Sequence, residues 1–397
     1  MTQQNYASSK KHGAGAALEE LAGTIARVMA PPGMLGRSVQ LDVVRAYAIL
    51  LVIGAHLKIA SPTGVVGWIA GVWHQWGGFG VPLFFTLSGY LVGGLLISEL
   101  HRQGSIDIKR FLIRRGLKIY PAYFVFLGYL VVMPILKGTT PLPTLLSEYW
   151  ANFLFLNNYI GPNPAGHTWS LAVEEHFYLV LPFLLLTFIR LRMKSWIASL
   201  CLLAPLFGSV FRMTCAAAGD PYIHNFPDTM AATHLCVDGL LVGVGVRALA
   251  EFSPERFASL HAWRWFLIFA GLLIITIPAL PMPTFTGVSL VRILPITAIS
   301  ATALLIGILH LKLRGWGSTA LAWIGMYSYG IYLWHVTIIG FMGRFTATWP
   351  SELQVLHWVI AATVTTAAAV LFGALMSRLV EWPVLALRDR LFPSRSA

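Results

Sequence analysis

The sequence predicts an all-α fold: a polytopic integral membrane helical bundle with about ten transmembrane helices. Three observations lead there. Hydrophobic residues make up 57% of the 397, only 11% are charged, and the mean hydropathy is +0.70. A soluble chain carries about 25% charged residues, so this one could not cover a water-facing surface. Apolar runs of spanning length recur along the chain, and Lys and Arg cluster in alternate loops between them.

The runs fall at 41–59, 79–100, 119–137, 169–189, 196–217, 231–250, 265–281, 291–311, 319–340 and 355–377. Each is near the length of roughly 20 residues that crosses the hydrocarbon core. In the second, "FGVPLFFTLSGYLVGG" carries Gly89, Gly93 and Gly94, small residues that let helices approach closely. The stretch "WANFLFLNNYI" at 150–160 is too short to span and reads as re-entrant or interfacial. Residues 1–38 lack the basic start, apolar core and cleavage site of a signal peptide. They read as a partly disordered cytoplasmic tail with a short interfacial helix at "LEELAGTIARVM". The expected organisation is this tail, a membrane domain over 39–385 and a cytoplasmic C-terminal tail over 386–397.

Ten spans put both termini on one side of the bilayer. Counted on that map, the loops on the side of the termini hold 22 Lys and Arg and the opposite loops hold 3, namely Lys58, Lys137 and Arg344. Loops kept in the cytoplasm retain their Lys and Arg, so both termini are expected there. The formal net charge of +12 is thereby read as orientation and not as a sign of nucleic acid. Cys201, Cys215 and Cys236 are widely spaced in apolar runs and read as packing residues, with no metal or redox spacing.

Several polar residues sit where hydrocarbon is expected. Arg45 and His56 are 11 residues apart in the first run. At 100° per residue they share one face, roughly 16 Å apart along the axis. Ser170, Glu174 and Tyr178 share a face at i, i+4 and i+8. His56, Glu174 and His335 come from three different runs, and each is expected roughly 20–23 Å above the inner boundary. An intramembrane ionisable group costs a few kcal/mol unless it has a partner or a use. One such residue is commonly a buried hydrogen bond; three at one depth suggest a shared polar cavity. Ser88, in "LSGY", is placed to face it. At the inner side "KRFLIRRGLKIYP" is the densest basic run. It serves topology or anionic lipid, or it holds a phosphorylated ligand at the inner mouth.

The segments "LDVVRAYAILLVIGAH", "GVPLFFTLSGYL", "RRGLKIYPAY", "HTWSLAVEEHFYLVLP", "VDGLLVGVGV", "MYSYGIYLWH" and a late "EWP" occur in this order. Together they resemble the acyltransferase-3 family of bacterial membrane O-acyltransferases, over about residues 39–385. The resemblance implies a multi-pass protein of the bacterial cytoplasmic (inner) membrane. It implies acyl transfer, usually acetyl, from cytoplasmic acetyl-CoA to a hydroxyl of a sugar or glycoconjugate, with no metal. Arg45 and His56 fall on the family's Arg–His motif, with the His taken as catalytic. Arg115 and Lys118 fall on its two-cation motif, with Lys118 where Arg is usual. Trp169, Ser170 and Glu174 fall on its Trp-Ser-Leu-x-x-Glu motif. Cys236 stands where an Arg commonly precedes Asp238. Many relatives carry an esterase-like domain after the last span, and none is expected here.

A sugar hydroxyl is a poor nucleophile and a thioester an activated donor, so the site has to supply a base, charge stabilisation and alignment. His56 fits the base, and Glu174 could orient its imidazole. Ser88, Trp169, Ser170, Tyr332 and His335 are candidates for binding the acceptor or the developing oxyanion. Arg45, Arg115 and Lys118 are candidates for the CoA phosphates. Direct transfer and an acyl-His56 intermediate both remain open, as do monomer and homodimer. Two rival readings are an acyltransferase for a small metabolite such as a macrolide, and a transporter for an anion or a lipid-linked sugar. Reporter fusions after Lys58, Lys137 and Arg344 are expected to give extracytoplasmic signals; a cytoplasmic signal from any one would overturn the span map.

Overall fold

Ser38 opens the first helix, α1 (Val39–His56), by accepting the Leu41 N–H at 3.4 Å. Asp42 sits in its first turn, where the helix dipole favours an anion, and is held by Arg37 at 2.9 Å and by Arg45. The computed structural model describes residues 37–59, 62–224, 232–276, 287–346 and 354–393, except the side chains of 224, 287–292 and 346. The N-terminal tail expected over 1–38, with its interfacial helix, lies outside the described residues up to 36. All regular structure among the described residues is helical.

After α1 come α2 (Gly64–Gly77), α3 (Gly80–Gln103), α4 (Ile108–Leu136), α5 (Leu142–Phe153) and α6 (Trp169–Arg190). Gly104, at φ 71°, closes α3, and the Asp107 carboxylate caps α4 by accepting the Arg110 N–H at 3.0 Å. Next are α7 (Ile197–Leu202) and α8 (Ala204–Ala217), then α9 (Asp238–Phe252), α10 (Arg264–Thr276) and α11 (Gly287–Leu309). The chain continues through α12 (Trp316–Met326), α13 (Ser328–Thr346) and α14 (Gln354–Met376). A π-helical turn at Ser377–Glu381 then leads into α15 (Trp382–Leu391).

Six helical segments among the described residues are long and apolar enough to cross a bilayer. A seventh forms if the pair Lys194–Leu202 and Ala204–Ala217, bent by 61°, counts as one span. The run expected at 231–250 yields a four-residue helical turn at Thr233–Cys236 and, after a break at Val237, the 15 residues of α9. The run at 319–340 is broken between α12 and α13 at Tyr327. The run at 291–311 coincides with α11, whose first residues have no described side chains. The bundle is thus polytopic with six or seven clear candidates, and ten remains an upper expectation. The sequence reading also passed over α2, whose 14 residues are too short to span. It lies along α1, with Trp73 Nε1 donating to the Leu50 carbonyl at 3.0 Å. The expected C-terminal tail begins inside α15 and stays helical to Leu391.

Helix exteriors are apolar. Phe266 and Phe269 on α10 are 62% and 70% exposed, and Leu371 on α14 is 62% exposed. Such a surface is stable against lipid tails and would self-associate in water. Inside, α3 and α9 cross through glycine. A Cβ on Gly89 would lie 1.9 Å from the Leu240 carbonyl oxygen, and one on Gly243 would lie 2.0 Å from the Thr86 carbonyl oxygen. With no hydrophobic drive between helices in lipid, this close fit is what the pair gains from packing. Beside the crossing, Arg212 of α8 and Asp238 of α9 form a buried pair at 2.8 and 3.0 Å.

Gly89→Ala is expected to force α3 and α9 apart and cost about 1–3 kcal/mol, as overpacking does. Gly128→Ala on α4 meets nothing within 4 Å and is expected to be neutral or stabilising. Thermal unfolding of the two variants in detergent checks the contrast; equal melting temperatures would remove the close-packing account.

Candidate active site

The basic run of α4 is one helix face. Arg110, Arg114 and Lys118 recur every four residues, with Arg115 beside them. The run divides its work. Arg110 donates to the Pro393 carbonyl, and Arg114 donates to the Phe392 carbonyl and pairs with Asp389 at 3.1 Å. These two cations hold α15 and the residues after it against α4. Arg115 and Lys118 turn inward instead.

Two cavities meet at those inward cations. The inner one has an empty volume of ≈ 1220 Å³ and is lined by Arg37, Arg45, Arg110, Arg114, Arg115, Lys118 and Arg388, with Glu99. The second, of ≈ 780 Å³, lies deeper and is lined by Ser88, Ser170, Glu174, Tyr178 and Tyr332 among mostly apolar side chains. Arg45, Leu91, Arg115 and Lys118 line both. Basic mouth and central chamber are therefore contiguous. Among the described residues neither Arg115 nor Lys118 has a carboxylate within ion-pair distance.

Hydrogen bonds order the chamber. Glu174 accepts from Ser88 Oγ at 3.1 Å and from the Tyr178 hydroxyl. The Arg115 guanidinium lies over the Tyr178 ring, 5.3 Å from its centroid, a cation–π contact that ties α4 to α6. One turn outward on α6, Ser170 Oγ lies 2.6 Å from the Tyr332 hydroxyl. That hydroxyl donates to the His167 carbonyl at 2.5 Å, so Ser170 is the donor to Tyr332. The face shared by Ser170, Glu174 and Tyr178 thus looks into the chamber, as its spacing predicts.

Beyond Tyr332 stands a histidine group. His56 is the last residue of α1, and its Nδ1 lies 2.8 Å from the Val52 carbonyl. His335 Nε2 lies 3.4 Å from the same nitrogen, and the two rings meet edge to face at 4.8 Å. His167 packs on the other side of His335 at 5.2 Å and is bonded through Nε2 to the Leu333 carbonyl at 3.1 Å.

The sequence-derived candidates separate accordingly. Arg45, Arg115 and Lys118 stand together at the junction, and Ser88, Ser170, Glu174 and Tyr332 stand together in the chamber. His56 and His335 are paired with each other but do not line the chamber. Of the three residues expected to share one cavity, Glu174 lines the chamber, and His56 and His335 meet each other beyond Tyr332. No hydrogen bond joins Glu174 to a histidine among the described residues; those it accepts, from Ser88 and Tyr178, both fall on Oε2. Trp169 lies against Phe85 edge to face at 5.9 Å and does not line the chamber.

Two residues escaped the sequence reading. His167 is two positions from Trp169, and its only signal was that proximity. Arg212 lies inside the run at 196–217 and supplies the cation beside Asp238 that Cys236 does not.

Comparison with known proteins agrees with this picture. The chain is 26% identical over 366 residues to "Peptidoglycan O-acetyltransferase OatA" of Listeria monocytogenes, covering 87% of this chain and 55% of that protein. It is 28% identical to YrhL of Bacillus subtilis over 75% of this chain and 48% of YrhL. To "O-acetyltransferase OatA" of Staphylococcus aureus it is 32% identical over 166 residues, 39% of this chain and 25% of that protein. The chain spans about half the length of the first two relatives. No solved structure matches it. The acyltransferase domain family matches residues 38–374, and the chain belongs to that family.

Proposed function

We propose that this chain is a membrane O-acetyltransferase that takes an acetyl group from acetyl-CoA at the inner mouth and passes it to a hydroxyl of a glycan. The observation that carries the reading is the contiguity of the basic mouth with the polar chamber through Arg45, Arg115 and Lys118. Two cations lining a cavity without an ion-paired carboxylate favour an anionic ligand, and CoA brings phosphates. Arg115 offers a fork to phosphate oxygens and Lys118 a point charge. Held there, CoA would extend its thioester arm into the mostly apolar chamber. The names of the relatives point to a glycan acceptor, and the peptidoglycan named for the Listeria protein is the first to try.

In the proposed reaction the acceptor oxygen attacks the thioester carbon while His56 takes the hydroxyl proton. The tetrahedral oxyanion would be met by the Ser88 or Tyr332 hydroxyl, which must first turn its one hydrogen away from Glu174 or from the His167 carbonyl. The C–S bond then breaks, the ester carbonyl re-forms, and the CoA thiolate recovers a proton. Glu174 holds the Ser88 side chain in place, and Ser170 that of Tyr332. Tyr332 stands between chamber and histidines, so the acceptor must reach the thioester near that side chain.

The purified chain in lipid is expected to convert acetyl-CoA to free CoA when a peptidoglycan fragment is present; no acceptor-dependent release of CoA would remove the reading. Arg115→Ala is expected to raise KM for acetyl-CoA by about 10- to 100-fold with little change in kcat, as loss of a charge-assisted phosphate contact does. Unchanged KM would return the cluster to a topology signal. His56→Gln keeps hydrogen bonding but takes no proton near neutrality, and is expected to lower kcat by about 10² to 10⁴. Near-normal turnover in that variant would move the base elsewhere.

A further inference from the structure

We propose that His335 is the positioning residue of the His56 base, filling with a neutral imidazole the place that a carboxylate takes in most base–orienter pairs. This rests on the reading of His56 as the base.

The argument follows the protons. His335 Nδ1 lies 2.6 Å from the Tyr332 carbonyl. A carbonyl only accepts, so that nitrogen carries the hydrogen, and Nε2 of His335 keeps its lone pair. His56 Nδ1 faces the Val52 carbonyl at 2.8 Å, so it too carries its hydrogen. The same N–H is shared with His335 Nε2 at 3.4 Å. The lone pair of His56 is thereby left on Nε2, the atom that would take the hydroxyl proton. Once it has done so, the imidazolium is a stronger donor through Nδ1, and the lone pair of His335 is aimed at it.

His335 is well held for that work. Its side chain is fully buried at 0% exposure, clamped between His56 and His167. The edge-to-face arrangement with His56, at an interplanar angle of 80°, points one ring's nitrogen at the other's edge. The chamber carboxylate does not take that place, because among the described residues no hydrogen bond joins Glu174 to His56. A neutral acceptor also suits the surroundings: it adds no formal charge to a low-dielectric site.

The experiment compares His335→Leu with His335→Gln in the full chain. Gln keeps an amide oxygen able to accept from His56, and Leu keeps bulk alone. Acetyl transfer to an N-acetylated chito-oligosaccharide gives kcat and KM, and nitrogen-15 NMR of histidine-labelled protein reads His56, assigned by the line lost in His56→Gln. His335→Leu is expected to lower kcat about 10- to 100-fold with KM for acetyl-CoA unchanged, and to shift the His56 Nδ1 line. His335→Gln is expected to restore both most of the way. An unmoved His56 line in His335→Leu overturns the proposal, as does a Gln variant no better than Leu or an effect confined to KM. A His56→Gln protein with wild-type kcat would sink the base reading itself, and the nitrogen spectrum reports on His335 separately from it.

Discussion

A charge or hydroxyl inside hydrocarbon has to be satisfied by the protein, because water is not there to do it. The architecture follows from that constraint. Asp42 gathers Arg37 and Arg45, and Asp238 is met by Arg212 from the neighbouring helix. Glu174 is shared by Ser88 and Tyr178, and Tyr178 in turn carries Arg115 on its ring face. Three of these contacts, Arg212–Asp238, Ser88–Glu174 and Arg115–Tyr178, join neighbouring helices, so satisfying those polar groups also aligns the bundle. Arg115 and Lys118 differ in having no ion-paired carboxylate among the described residues, and they line the place where two cavities join.

Much of this was legible in the sequence, and the rest was lost for identifiable reasons. Periodicity along one helix is local information. It placed Ser170, Glu174 and Tyr178 on one face, whereas Arg115 and Lys118 were singled out only by the family resemblance. Rise per residue gave a height for His56, Glu174 and His335 but no direction around the bundle axis. Three residues at one expected height were therefore assigned to one cavity, and of them Glu174 lines the chamber while the two histidines face each other. Partner identity is a long-range fact. Nothing near Asp238 in sequence announces Arg212, 26 residues away, as its counter-ion. Helix length failed for a similar reason. Hydropathy marks α9 as part of a longer run but cannot register that Asp238, paired with Arg212, opens it.

The basic mouth and the histidine group divide the proposed chemistry by charge. Recognition of an anionic donor belongs to the mouth, where cations are dense. Proton transfer belongs to the histidine group, where partners are neutral imidazoles and carbonyls. Tyr332 belongs to the chamber and to the histidine group, lining the chamber with its ring and hydroxyl while its backbone carbonyl holds His335. A disturbance on either side of that residue is transmitted through one short stretch of α13.

The bonds from Arg110 and Arg114 to the carbonyls of Pro393 and Phe392 bear on how the protein is made. The ribosome delivers α4 long before residues 389–393. Until those residues arrive, two arginines of the mouth lack the partners that hold them in the finished fold, and they stand among the same cations that later line the cavity. A nascent bundle with its transmembrane helices already inserted would thus carry an over-charged, unclosed mouth. The order of synthesis places closure of the basic mouth among the final steps of assembly, so a bundle can be inserted in the bilayer before that cavity has its full lining.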